Sequence, residues 1–217
     1  MLSATDNAYL NSSEPDTPMG NHLRCHWHPV ALSEEVAKPD CAPIRLKVMG
    51  EDLLLFRDSN GNTGLIEPFC AHRGADLFFG RNEECGIRCI YHGWKYDIHG
   101  NCIDMPNVPK DAAYHGKIKI KAYPTQEFAD MVWAYMGPPD IQPFEVPQLE
   151  AGLVPPSHRY VTKRLVECNW THSMEGALDT AHFSFLHMPA PAFRKDDSSN
   201  IAADESRIRW LRNDPAP

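Results

Sequence analysis

Two short Cys/His motifs constrain the fold of this chain more than any other sequence feature. One residue separates Cys70 from His72, and two residues separate Cys89 from His92. Thiolate and imidazole side chains bind soft and borderline metals. If these four residues had only packing or surface roles, their matching short spacing would be a coincidence. The sequence therefore predicts that these four side chains hold one metal centre.

The distribution of ligand types between the motifs separates two candidate metal groups. Tetrahedral zinc accepts two Cys and two His ligands, but zinc motifs usually pair Cys with Cys and His with His. Here each motif offers one of each, which suits a two-iron cluster in which both Cys bind one iron and both His bind the other. Such a cluster has a reduction potential of about -150 to +300 mV, so its chemistry is electron transfer. A zinc-stabilised binding module remains the alternative.

The sequences around these ligands, Cys70–Gly74 and Cys89–Trp94, resemble the Rieske [2Fe-2S] signature of aromatic-ring-hydroxylating oxygenases. The resemblance implies that the two cysteines hold a buried iron. It implies that His72 and His92 hold an outer iron nearer the surface.

Short β-type runs separated by turn residues predict a small antiparallel β domain. The Asn60-Gly61 pair predicts a hairpin turn, and Met19–Val36 predicts a short helix followed by a loop at Pro29. The predicted strands are Ile44–Val48, Asp52–Arg57, Thr63–Ile66, Gly86–Tyr91, Lys95–Ile98, Lys117–Tyr123 and Met131–Tyr135.

A proline-rich stretch between Gly137 and Pro156 predicts a linker to a second domain. Tyr160–Val166 is predicted to be the first strand of that domain, and Asn169–Thr180 is predicted to be a helix because its apolar residues recur every three to four positions. We expect an N-terminal segment at 1–36, a β domain at 37–150 and the start of a catalytic domain at 151–217.

A second candidate centre follows the predicted helix. Asp179, His182 and His187 have spacings of three and five residues, and we expect the first two on one face of a helical turn. Two imidazoles and one carboxylate form the facial triad of non-haem Fe(II) oxygenases, which leaves positions open for O2 and substrate.

The oxygenase resemblance assigns roles to these residues. It implies that His182 and His187 bind a mononuclear Fe(II), and that Asp179 hydrogen-bonds a ligand histidine and reaches the cluster histidine, His92 by position, of a neighbouring subunit. The third ligand in the family is an aspartate far downstream in a longer subunit, so we expect this chain to be truncated. The implied fold class is α+β, with an antiparallel β Rieske domain and the first part of a helix-grip-like catalytic domain.

Other segments resemble the phthalate dioxygenase branch, namely Pro18–Gly20, Trp27–Leu32, Gly50–Leu53, Glu67-Pro68 and Met105-Pro106. This branch implies a homo-oligomer of α subunits (α3 or α6) that cis-dihydroxylates an aromatic carboxylate with O2. The sequence has no dinucleotide-binding glycine motif, so we expect electrons from a separate NADH-dependent reductase. Arg207 is the candidate cation for the substrate carboxylate. The alternatives are an O-demethylase or monooxygenase of an aromatic acid and a stand-alone Rieske electron-transfer protein.

Charge and hydropathy exclude several other classes of function. The net charge is -8, without a basic run, which argues against a nucleic-acid partner. No apolar stretch approaches the roughly 20 residues of a membrane helix. The first twenty residues lack a basic and an apolar region of the secretory type, so we expect a cytoplasmic protein.

Overall fold

In the computed structural model, the described residues are 2–109, 114–138, 140–141 and 145–187. The described residues fall into two compact units, which divide between Leu165 and Val166. The helices are α1 (Ala4–Asn11), α2 (Pro18–Arg24), α3 (Glu150–Leu153), α4 (Trp170–Leu178) and α5 (Phe183–Leu186). The strands are β1 (Trp27–Leu32), β2 (Ile44–Val48), β3 (Glu51–Arg57), β4 (Thr63–Ile66), β5 (Arg81–Glu83), β6 (Gly86–Arg88), β7 (Lys95–Tyr96), β8 (Cys102–Asp104), β9 (Ala122–Tyr123), β10 (Thr125–Phe128) and β11 (Met131–Tyr135).

The strands of the first unit form three antiparallel sheets. Their orders are β1-β11-β10, β2-β3-β4-β9 and β5-β6-β7-β8. The central strand β3 carries the continuous apolar run Leu53–Phe56, whose side chains are at most 2% exposed. It is buried on both faces because one apolar cluster packs on each side of it. The antiparallel β domain predicted from the sequence is confirmed.

The loop between β3 and β4 shows why the predicted hairpin forms. The carboxylate of Asp58 accepts the backbone N–H groups of Asn60 and Asn62 at 2.9 and 2.8 Å, and Gly61 adopts a φ of +87°. An Asx turn followed by a glycine in the left-handed region closes the loop. Residues 97–101 repeat the arrangement, since the Asp97 carboxylate accepts the backbone N–H groups two and four residues further on.

Proline 29 lies within a strand, which corrects the predicted loop. The helix expected in Met19–Val36 is α2, but the chain then enters β1 and continues through Pro29. β1 is the edge strand of its sheet, and its register shifts between Pro29 and Ala31. An edge strand tolerates proline because its outward N–H groups need no partner.

Several predicted strands are shorter in the structure, such as Gly86–Tyr91 and Lys95–Ile98, which end at Arg88 and Tyr96. In Lys117–Tyr123 only the last two residues, β9, pair as a strand, and a 3-10 helix spans His115–Lys117. Tyr160–Val166 has no regular secondary structure, so the predicted first strand of a second domain was wrong. An extended segment becomes a strand only beside a hydrogen-bonded neighbour, and the described residues place none there. None of the helices in the described residues is long and apolar enough to cross a membrane.

Candidate metal centres

Two loops with the same backbone hydrogen bonds carry the first predicted ligand set. In each loop the cysteine N–H donates to the carbonyl five residues on, and the glycine four residues on donates back to the cysteine carbonyl. These distances are 2.9 and 2.8 Å in the loop that starts at Cys70, and 2.8 and 3.0 Å in the loop that starts at Cys89. The two glycines, Gly74 and Gly93, have φ values of +67° and +76°. The repeated Cys/His spacing thus produces two matching turns.

The two thiols lie inside the domain. Cys70 and Cys89 are 3% and 2% exposed, and both are reduced. Burial raises the pKa of the Cys70 thiol, and the adjacent Cys89 thiol also raises it. Two neighbouring thiols without a disulfide in an apolar core are suited to a metal, whose positive charge stabilises the thiolate form.

The two imidazoles lie at the rim of the same loops. The rings of His72 and His92 meet edge to face with centroids 4.6 Å apart, and both residues are partly exposed. Burial lowers the pKa of His72, and His92 and Arg73 lower it further, which favours the neutral, metal-binding imidazole. Nδ1 of His92 is buried and has no hydrogen-bond partner among the described residues. A buried nitrogen of this kind is the atom that a metal would satisfy.

The arrangement of these donors fits a two-iron group better than a single ion. The sulfurs form an inner pair and the imidazoles an outer pair, as a Rieske cluster requires. Within the described part of the chain, no three His, Cys, Asp or Glu side chains are placed to hold one ion.

Arg88 is a residue of the first centre that the sequence interpretation missed. Its side chain is 11% exposed. It donates from Nη1 to the Gly93 carbonyl at 2.9 Å and to the Asp104 carboxylate at 2.7 Å. It also donates from Nε to Glu83 at 2.6 Å. The guanidinium therefore ties the second loop to β8, and its hydrogen bond lowers the pKa of Asp104. The only sign of this role in the sequence is that Arg88 directly precedes the predicted ligand Cys89.

The second candidate centre lies in the unit that begins at Val166. The N-cap of the helix α4 is Asn169, whose Oδ1 accepts hydrogen bonds from the backbone N–H of Thr171 at 3.0 Å and from the Thr171 hydroxyl at 2.8 Å. Asp179 is the C-cap of α4, because its N–H donates to the Glu175 carbonyl at 2.8 Å and its own backbone is extended. Asp179 and His182 were predicted to share one face of a helical turn. In the structure they lie instead in the turn between α4 and α5.

This turn brings the predicted second-centre residues together. The Asp179 carboxylate accepts the Ala181 N–H at 2.7 Å through Oδ1, and its Oδ2 lies 3.3 Å from His182 Nδ1. The four-residue helix α5 separates His182 from His187, and their ring centroids are 5.3 Å apart. A carboxylate that accepts a hydrogen bond from one imidazole nitrogen is a common orienting partner of a metal-binding histidine. Arg207, the predicted substrate residue, lies outside the described residues.

Comparisons with known proteins agree with the first centre. Residues 17–124 match the model of the Rieske [2Fe-2S] domain. The chain therefore belongs to the Rieske [2Fe-2S] family.

Its place within that family follows from individual relatives. The chain is 46% identical over 189 residues to the phthalate 4,5-dioxygenase oxygenase subunit of Pseudomonas putida, covering 86% of this chain and 42% of the relative. It is 39% identical over 190 residues to the 5,5'-dehydrodivanillate O-demethylase oxygenase subunit of a Sphingobium species, covering 86% and 44%. The chain spans about two fifths of the length of these relatives. Over the matched residues the chain is therefore similar to oxygenase subunits of the phthalate dioxygenase type.

Solved structures share the fold. Dicamba monooxygenase with non-heme iron and dicamba matches with a TM-score of 0.53 and 26% identity, covering 61% of this chain and 39% of that one. The reduced complex between oxygenase and ferredoxin in carbazole 1,9a-dioxygenase matches with a TM-score of 0.57 and 30% identity, covering 74% and 41%.

Proposed function

We propose that the two matching loops hold a Rieske cluster, with Cys70 and Cys89 on the inner iron and His72 and His92 on the outer iron. The observation that carries this assignment is the pair of identical turns that places two buried thiols inside and two imidazoles at the rim. The orphaned Nδ1 of His92 supports it further. When bound, the cluster supplies electrons one at a time.

We propose that His182 and His187 hold a mononuclear Fe(II), together with a carboxylate from another part of the polypeptide. Asp179 accepts a hydrogen bond from His182 Nδ1 and so fixes the ring orientation and the tautomer in which Nε2 would be the metal-binding nitrogen. The same carboxylate holds the Ala181 N–H and thereby the turn. This iron supplies the site for O2 activation.

The function that these two centres support best is the oxygenase component of a Rieske dioxygenase. We propose that it adds both atoms of O2 to an aromatic carboxylate such as phthalate as a cis-diol, with two electrons delivered from NADH by a separate reductase. Arg207 is proposed to bind the carboxylate of the substrate. The same proposal includes a cytoplasmic homo-oligomer, α3 or α6, in which Asp179 of one subunit meets His92 of the next. A stand-alone electron carrier is less well supported, because such a protein would not need the second candidate centre formed by Asp179, His182 and His187.

The test combines metal analysis with turnover. The purified protein should contain iron and acid-labile sulfide, and the reduced protein should show the EPR signal of a Rieske cluster. With phthalate, O2, NADH and a reductase of the phthalate dioxygenase type, mass spectrometry should detect a cis-dihydrodiol. His182→Ala should lose one iron per chain and all product while keeping the cluster signal. A colourless protein that contains zinc would contradict the cluster, and product formation by His182→Ala would contradict the second centre.

A second candidate activity is O-demethylation of a methoxylated aromatic acid. It is supported by the similarity to the O-demethylase subunit at 39% identity. A methoxybenzoate substrate distinguishes the two activities, because demethylation releases formaldehyde and leaves a phenol, whereas dihydroxylation leaves the methyl group in place. Formaldehyde with methoxybenzoate and no diol with phthalate would favour the demethylase.

A further inference from the structure

A third loop, residues 105–108, lies against the second cluster loop. Met105 is 3% exposed, Val108 packs against the same apolar core, and the Val108 N–H donates to the Met105 carbonyl at 3.0 Å. Pro106 approaches Gly93 so closely that a Cβ on this glycine would lie 2.5 Å from the proline Cγ. These contacts fix the turn that carries Asn107 at the surface.

Asn107 holds a tryptophan of the second cluster loop. Its Oδ1 accepts a hydrogen bond from Trp94 Nε1 at 2.8 Å. Trp94 is 4% exposed, and the indole N–H of a buried tryptophan needs an acceptor because it can only donate. The hydrogen bond fixes the rotation of the indole about its side-chain torsions, since only one orientation directs Nε1 at the loop.

The orientation of Trp94 in turn determines the surroundings of His72. The two rings are stacked, with centroids 4.6 Å apart and planes inclined by 13°. His72 also meets the ring of His92, edge to face. The indole therefore covers one face of the His72 imidazole and limits its rotation.

We propose that Asn107 is a positioning residue for the cluster, acting on His72 through the stacked indole of Trp94. The inference rests on the proposed assignment of His72 as an iron ligand. Groups that orient a ligand imidazole influence both how firmly the metal is held and its electronic structure. Asn107 acts through the indole, because the hydrogen bond that its side chain accepts comes from Trp94.

Three substitutions in the full chain test the route. Asn107→Leu removes the acceptor at similar size, Asn107→Asp keeps an acceptor oxygen, and Trp94→Phe removes the indole donor but keeps an aromatic face. Asn60→Leu is the matched control, because Asn60 is exposed and donates its side-chain amide to Cys85 in another part of the unit. Each protein is measured by EPR of the reduced cluster and by the rate at which a chelator bleaches its visible absorbance.

We expect Asn107→Leu to shift the EPR g values and to bleach roughly 2- to 10-fold faster, which corresponds to one lost hydrogen bond. Asn107→Asp and Asn60→Leu should behave as wild type. Trp94→Phe should reproduce the leucine variant, and adding Asn107→Leu to it should have no further effect, because both changes break the same contact. If Asn107→Leu loses the cluster outright, Asn107→Asp and Trp94→Phe still test the role of the hydrogen bond. The first should keep the wild-type g values and bleaching rate, and the second should change both.

The outcomes separate this inference from the proposed function. A wild-type protein without a [2Fe-2S] signal overturns both. A normal cluster whose g values and bleaching rate do not change in Asn107→Leu overturns the positioning role alone. An equal effect of Asn107→Leu with and without Trp94→Phe overturns the route through the indole. Failure of Asn107→Asp to restore wild-type behaviour overturns the role of the acceptor oxygen.

Discussion

The Tyr96 hydroxyl lies 3.3 Å from Cys70 Sγ and accepts the backbone N–H of Ala71 at 3.1 Å. Because its oxygen accepts from Ala71, its own proton can be directed at the sulfur. Tyr96 is fully buried, and burial together with Cys70 raises the pKa of its phenol. The hydroxyl therefore stays protonated and remains a donor to this predicted iron ligand.

Tyr96→Phe should lower the reduction potential of the cluster. A hydrogen bond to a ligand sulfur stabilises the more electron-rich, reduced cluster. A bond of about 0.5–1.5 kcal/mol corresponds to roughly 20–60 mV for one electron. A redox titration followed by EPR measures the shift. Tyr91→Phe, which removes an exposed hydroxyl from the second loop, is the control, and an unchanged potential in Tyr96→Phe at full cluster content would contradict the donor role.

Alanine at the two loop glycines should have unequal costs. Gly74 and Gly93 both have positive φ, which costs a residue with a Cβ about 1–2 kcal/mol. A Cβ at Gly74 has nothing within 4 Å, whereas one at Gly93 would overlap Pro106, which adds about 1–3 kcal/mol. Gly93→Ala should therefore lower the thermal midpoint and the cluster content more than Gly74→Ala. Equal decreases in the two variants would show that Pro106 moves aside without a measurable loss of stability.

The parts of the fold and of the first centre that could be predicted from the sequence are those determined by residues close together in the chain. The strands Ile44–Val48, Thr63–Ile66 and Met131–Tyr135 have the predicted bounds because their apolar runs end at turn residues. The cysteine and the histidine of each predicted pair are close to each other because both lie within one turn.

The parts that could not be predicted depend on contacts between distant residues. The contact between Tyr96 and Cys70 spans 26 positions and that between Trp94 and Asn107 spans 13, so no short motif records either of them. Gly86–Tyr91 was predicted as one strand, but it ends at Arg88 because the chain turns into the second cluster loop. Lysine and isoleucine alternate in residues 117–121, but this segment is not a strand along its length. A strand also requires a neighbouring strand of matching register.

The ion pair between Arg57 and Glu127 should make stability depend on pH. Arg57 is 8% exposed and donates to both Glu127 oxygens at 2.8 and 2.6 Å and to the Val36 carbonyl at 2.6 Å. The hydrogen bond from Arg57 lowers the pKa of Glu127. A lowered carboxyl pKa contributes stability above the pKa of the unfolded state, about 4.3, and this contribution is lost as pH falls through the folded-state pKa.

Glu127→Gln should therefore unfold at lower urea concentration than wild type at pH 7, and the difference should shrink as the pH falls below about 4. Arg57→Met should cost more than Glu127→Gln, because it also leaves the Val36 carbonyl and the Glu127 charge without their donor. Urea denaturation monitored by tryptophan fluorescence at several pH values measures both effects. A constant difference across this range would mean that the charge of Glu127 contributes nothing.

The contact between Asp179 and His182 should set the affinity of the second centre for Fe(II). In Asp179→Asn an amide oxygen can still accept the Ala181 N–H, so the turn is kept, but the negative charge beside His182 Nδ1 is lost. Loss of a carboxylate behind a ligand histidine typically weakens metal binding 10- to 100-fold, because the imidazole becomes less basic. Competition against a chelator measures the affinity. Glu175→Gln is the matched control, since that exposed carboxylate lies 3.6 Å from His172 and not beside a predicted ligand. Wild-type affinity in Asp179→Asn, or an equal loss in Glu175→Gln, would assign the contact a purely structural role.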